Sequence, residues 1–243
     1  MFASATVQGA TGFGFVIVAA PVLTIYLAPT LVVPVLVVEG FVLSLLLLSR
    51  VWRDARPKRV ALLIVFGVGF IPLGILLLVR LDEDLIKIAL GTVVGVTALA
   101  MLAGFQRTAR NERVASIPVG AASGLLMGST GLDGARRGST GLAGAPVILF
   151  FANQGVDPRQ FRANITAYLV VVGLAALPSF LVGGVLTTEV GKLSAALLAP
   201  SVGGLFTGIW LARRVSTVLF RRIALVVVLG SGATAIITGI AGL

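Results

Sequence analysis

Two glycine-rich segments hold the residue types in this chain that could do chemistry. Gln8-Gly9-Ala10-Thr11-Gly12-Phe13-Gly14 lies near the start, and Gly138-Ser139-Thr140-Gly141-Leu142-Ala143-Gly144-Ala145-Pro146 repeats its theme 129 residues later. Glycine frees the backbone to leave a helix and proline removes an N–H, so each segment is expected to interrupt one. A half-helix beginning at such an interruption presents free N–H groups and the positive end of its dipole, which suits an anion. Thr11, Ser139 and Thr140 add hydroxyls, and Gly12, Gly14, Gly141 and Gly144 let the backbone approach a solute closely. Asn164, on the apolar run that follows the second segment, could complete the cavity. The competing reading is close helix packing through small residues, with hydroxyls bonded to their own backbone.

Ionisable groups within apolar stretches are the second signal. Glu39 stands alone between Pro34 and Gly40 in a long uncharged run. A carboxylate there is costly to leave charged, so Glu39 is a candidate for carrying a proton, with a structural hydrogen bond as the alternative. Tyr168 occupies the matching place in the second half, near Thr166. Gly128-Ser129-Thr130-Gly131-Leu132-Asp133-Gly134-Ala135-Arg136-Arg137 reads as a ten-residue tandem duplication just before the second segment. Its Arg136 and Arg137, together with Arg162, could attract an anion, or they could simply cap a hydrophilic loop.

Composition removes much else. The 243 residues contain no Cys and no His, so thiolate nucleophiles, Ser-His-Asp triads, imidazole metal sites and disulfides are excluded. No cofactor and no metal is expected, and no enzyme. Only 12% of residues are charged, against about 25% in soluble domains, and mean hydropathy is +1.09. The solvent of such a chain is largely lipid. The net charge of +10 sits in short clusters between apolar runs, a pattern of cytoplasmic loops rather than of a nucleic-acid-binding face.

The elements that must hold these residues are therefore membrane helices. Val60–Val79, Ile88–Gln106, Val114–Leu132, Gly138–Val156, Ala163–Thr188, Leu193–Ala212 and Ile223–Leu243 are each uncharged or nearly so and long enough to span. Met1–Ala20 lacks a basic leader and is expected to belong to the mature chain. The glycine segments recur in register, since Gly12 precedes Pro29 as Gly141 precedes Pro158, each by 17 residues. Two repeats follow, residues 1–104 and 114–243, joined by a basic linker at 105–113. The loops around Arg50–Arg59, Arg107–Arg113 and Arg213–Arg222 are basic, while those at Asp82–Asp84 and Glu189–Lys192 are not. Matched between repeats, these charges have opposite polarity, which predicts inversion. The fold expected is all-α and polytopic, with six spans plus a re-entrant segment per repeat, or eight plain spans.

The two glycine segments, Pro21 and Phe161-Arg162-Ala163-Asn164 resemble the TauE/SafE family of sulfite exporters, over essentially the whole chain. The resemblance implies a multi-pass transporter of the inner membrane, exporting a small sulfur-containing anion such as sulfite or sulfoacetate. Its partners would be that anion and the bilayer, with no nucleic acid; the oligomeric state stays open, a homodimer being one option. Alternating access is the expected mechanism, an anion channel or a non-transporting membrane subunit the alternatives.

Overall fold

The computed structural model describes residues 1–23, 25–80, 112–130, 144–182, 184 and 186–214, with scattered positions at 88–103 and 222–240. Every element among the described residues is helical. The order is α1 (Phe2–Thr11), α2 (Phe15–Leu23), α3 (Pro29–Val51), a 3-10 turn (Trp52–Asp54) and α4 (Pro57–Arg80), then α5 (Glu112–Thr130), α6 (Ala145–Asn153), α7 (Pro158–Val182) and α8 (Thr188–Ala212). Prolines open α3, α4 and α7, where the missing N–H costs nothing. Thr187 caps α8 by accepting the Val190 N–H at 3.3 Å. Pro34, Pro72, Pro118, Pro178 and Pro200 lie inside long helices, a placement that membrane helices tolerate.

Length separates the helices into two kinds. Leu31–Asp54 and Thr188–Ala212 are each long and apolar enough to cross a bilayer. By contrast α1, α2 and α6 have 10, 9 and 9 residues, about half of what a crossing needs. The surface agrees with lipid as solvent: Val65, Leu174 and Trp210 are more than half exposed on the outward faces of long helices. Arg50 lies over the Phe206 ring and Arg214 over Trp210, so the ends of α3 and α8 share a cluster of cations and aromatics suited to a membrane interface.

The packing follows a pattern. The closest partnerships are α1 with α8 and α5 with α4; α3 packs on α7, α3 on α8, α4 on α7, α1 on α2, α2 on α3, α5 on α6 and α6 on α7. Exchanging α1–α4 for α5–α8 carries this set of contacts onto itself, with α3/α7 left in place. A methyl group at Gly124 would run into the Gly67 carbonyl, and one at Gly208 into the Thr6 carbonyl. Small residues thus bring α5 onto α4 and α1 onto α8 backbone to backbone, the expected economy of packing in lipid.

The directions of α3 and α7 are fixed by two contacts. Asn164, early in α7, accepts the Arg56 N–H just beyond the end of α3 at 2.8 Å, and Gly173, further on, packs against Phe41 in the middle of α3. The two helices therefore run antiparallel. Two apolar cores flank them, one around Leu63, Phe151, Phe161 and Tyr168, the other around Phe15, Leu36, Leu43 and Leu205.

Candidate functional site

The first glycine segment breaks its helix as its composition requires. Gly12 caps α1 at φ 91° and Gly14 shares that φ, a left-handed conformation that strains any residue with a Cβ. The Gly12 N–H closes the last turn on the Gln8 carbonyl at 2.7 Å. Space imposes a second requirement at Gly12: an added Cβ would stand 3.0–3.2 Å from the Cγ, carbonyl oxygen and Cα of Arg162. The opening turns of α7 thus press directly on the break.

Arg162 is the cation delivered there. It is 8% exposed, and its Nη1 donates to the Gly9 carbonyl at 3.3 Å while Nε has no partner among the described residues. The acidic group that acts on it is Asp54, which does not reach ion-pair distance; Arg159 and Arg213 oppose it. A buried guanidinium facing broken backbone, with donors to spare, is a group that wants an acceptor. Phe13 packs on Phe161, the residue before Arg162, at a centroid distance of 6.2 Å.

The other expected residues fall around this point or away from it. The Thr11 hydroxyl stands 2.8 Å from both the Val7 and Phe13 carbonyl oxygens and accepts the Phe13 N–H at 3.4 Å, so here it closes the break itself. Asn164 is fully buried, but two residues after Arg162 on a helix it leaves on a different face. Its Oδ1 accepts from Arg56, and its Nδ2 has no partner among the described residues. Glu39 is fully buried in α3, with neither carboxyl oxygen hydrogen-bonded among the described residues. Gly144 begins α6 at φ −79°, and a Cβ there would make ordinary 3.5 Å contacts with Ile148 and Leu169. Ser139, Thr140, Gly141, Arg136 and Arg137 lie outside the described residues, as does Asp133.

The sequence profile described as "Sulfite exporter TauE/SafE" matches residues 1–235. The chain belongs to the TauE/SafE family. The match takes in all eight labelled helices, and it makes this apolar chain, all-helical among the described residues, a member of a membrane-transporter family. No curated protein and no solved structure matches it significantly.

Within this TauE/SafE chain, three contacts had no counterpart in sequence reasoning. Gln8 reaches from α1 to α3, its Nε2 donating to Ser44 Oγ at 3.0 Å. Tyr168 donates to Ser123 on α5 at 2.7 Å, beside Gly67 of α4. Ser201 on α8 faces Glu39, although its hydroxyl donates to its own Leu197 carbonyl at 2.8 Å. Polar residues inside apolar helices were the available signal, but nothing local indicates which helix each one meets.

The position of the duplication also becomes clearer. Gly128-Ser129-Thr130 ends α5 as Gly9-Ala10-Thr11 ends α1. The first copy of the duplicated unit thus stands at a helix end, and the second, with Gly138-Ser139-Thr140, lies outside the described residues. Three residues, 12–14, separate α1 from α2, whereas residues 131–143, between α5 and α6, lie outside the described residues.

Proposed function

We propose that the chain exports a small sulfur-bearing oxyanion, of the class of sulfite or sulfoacetate, across the inner membrane, and that the anion binds at the α1–α2 break against Arg162. The observation that carries this reading is the buried Arg162, whose stem and backbone press on the left-handed Gly12 and whose guanidinium donates to the Gly9 carbonyl with its Nε unpartnered among the described residues. Donors at hand are Arg162 and the N–H groups opening α2. Thr11, Gly12 and Gly14 shape the break, and Ser139, Thr140, Gly141 and Gly144 supply the corresponding segment of the second half. Asn164 contributes its free amide from the neighbouring face, and Arg136 and Arg137 draw the anion in. The chemistry is recognition, with no bond made or broken.

The same reading makes residues 1–104 and 114–243 inverted repeats. Support comes from three sides: the opposed loop charges, the contact set that survives exchange of the halves, and the antiparallel course of α3 and α7, which begin at matched prolines. Alternating access then rocks the glycine-packed pairs α1/α8 and α4/α5 about the α3–α7 contact. An inside-negative potential favours anion exit by about 2.3 kcal/mol per charge per 100 mV.

The test is flux from proteoliposomes loaded in turn with sulfite, sulfoacetate, taurine, sulfate and acetate. Saturable efflux with counterflow of a sulfur oxyanion, lost on Arg162→Ala, is the expected result. Ohmic current or no flux with any of the five would overturn the carrier reading.

A further inference from the structure

Glu39 and Tyr168 occupy matched places, each ten residues after the proline that opens its helix. They are equally buried, at 0% and 1% exposure. Their surroundings differ in one respect. The Tyr168 hydroxyl has a built partner, Ser123 Oγ at 2.7 Å. Neither Glu39 carboxyl oxygen has a partner at hydrogen-bond distance among the described residues; the Ser201 hydroxyl, which acts on it, also stands 2.8 Å from the Leu197 carbonyl oxygen. An ionised carboxylate accepts hydrogen bonds and offers none, so burial without a donor leaves it nothing to offset lost hydration.

Charges nearby do not supply the deficit. The Met1 amino group acts on Glu39 from α1, at a range too long for an ion pair. α2 carries no titratable side chain, α7 carries Arg159, Arg162 and Tyr168, and α8 carries Glu189 and Lys192. None of these reaches hydrogen-bond or ion-pair distance of the Glu39 carboxyl. The elements that enclose Glu39 are nonetheless those that build the break. Gln8, one residue before Gly9, is tied to Ser44 and lies 3.5 Å from the Gly40 carbonyl, on the stretch of α3 that holds Glu39. Gly9 in turn accepts from Arg162. A rearrangement of α1 when an anion arrives is therefore felt by α3 at Glu39, and by α8 through the backbone contact of Gly9 with Leu205.

We infer that Glu39 holds a proton in the resting protein and that this proton travels with the anion. The inference rests on the transport reading above for its second half only. Two negative charges inside one low-dielectric bundle repel, so an anion binds best when Glu39 is neutral, and by reciprocity bound anion holds the proton in place. The carboxyl takes its proton from water on the loading side and returns it to water on the releasing side; no other bond changes. Co-transport removes one charge from the moving unit, so a monoanion crosses electroneutrally and a dianion crosses with one net charge.

Two measurements test this. Infrared difference spectra of wild type against Glu39→Gln, in detergent at neutral pH and without any anion, read the carboxyl itself. A protonated-carboxyl C=O band present in wild type and missing from the variant is expected; its absence overturns the inference whatever the flux results are. Proteoliposomes loaded with sulfoacetate and a trapped pH dye read the coupling. Efflux through wild type should raise the internal pH relative to protein-free vesicles, and Glu39→Gln should move sulfoacetate with no pH change. Efflux with no pH change, acidification instead, or coupling that survives in Glu39→Gln would overturn the co-transport. The infrared band present with no flux of any anion would support the proton site while removing the transport reading.

Discussion

The two halves of the molecule share a plan and divide its chemistry unequally. Where the first half puts Glu39 on α3, the second puts Tyr168 on α7; where the second puts Arg162, the first has Val33, 1% exposed in the core. The first half interrupts its helix with three residues, two of them glycines with φ 91°; the matched positions, 141–143, lie outside the described residues. Among the described residues the contact framework is kept twice, whereas the buried carboxyl lies in one half and the buried guanidinium in the other. The cation comes from α7 and the break it meets from α1, so in the proposed site neither half is complete alone.

The largest effect should come from the framework. Gly124→Leu and Gly208→Leu each drive a side chain into a neighbouring backbone carbonyl, and overpacking of this kind costs about 3 kcal/mol or more. Both variants should lose roughly 6–12 °C of thermal midpoint in detergent. Gly191→Leu, where an added Cβ meets open space, should lose almost none. A variant tolerated in one half and not in the other would break the equivalence of α1/α8 and α5/α4.

Next comes the cation. Arg162→Ala should cut sulfur-oxyanion flux about tenfold or more, since hydrogen bonds to charged groups are worth about 1.5–3 kcal/mol. Val33→Ala, at the matched position, should leave flux per folded molecule close to wild type. Equal losses would show that position, and not charge, is what matters.

Backbone conformation gives a smaller contrast. Gly12→Ala forces a Cβ into left-handed φ and against Arg162, at a cost of about 1–2 kcal/mol in melting experiments. Gly144→Ala, with negative φ and 3.5 Å neighbours, should be neutral within about 0.5 kcal/mol. Tyr168→Phe removes one buried hydrogen bond and should cost about 1 kcal/mol with no change in the pH profile of flux. Smallest in perturbation is labelling: single cysteines at Ala28 and Asp157, both exposed, should react from opposite sides of the membrane if the halves are inverted. Reaction from one side would remove inversion.

Much of this was legible in residue types. Glycine at 12 and 14 announced the break because few other residues adopt its backbone, and the recurrence of Pro29 at Pro158 announced two similar helices. Other features were not legible, for a physical reason. Arg162 meets Gly9 across 153 residues, and Asn164 meets Arg56 across 108; such pairings depend on how helices cross, which leaves no periodic trace in either segment. Thr11 carried the right atom for an anion, and the backbone next to it claimed that atom first. Of the duplicated motif, the copy at 128–130 ends a helix, and the copy at 138–140 lies outside the described residues.

The partnership of α1 with α8 has a consequence for how the protein is made. The backbone contact between Gly9 and Leu205 joins residues 196 positions apart. At synthesis rates of about 5–20 residues per second, roughly 10–40 s pass before the ribosome supplies the helix that α1 needs. Through that interval α1 has α2 and the Gln8–Ser44 hydrogen bond to α3 for neighbours, while the face that meets α8 stays uncovered. The pairings of α8 with α1 and α3 are then the last of the labelled helix contacts to form, and a chain stopped before α8 would reach the membrane with that face of α1 uncovered.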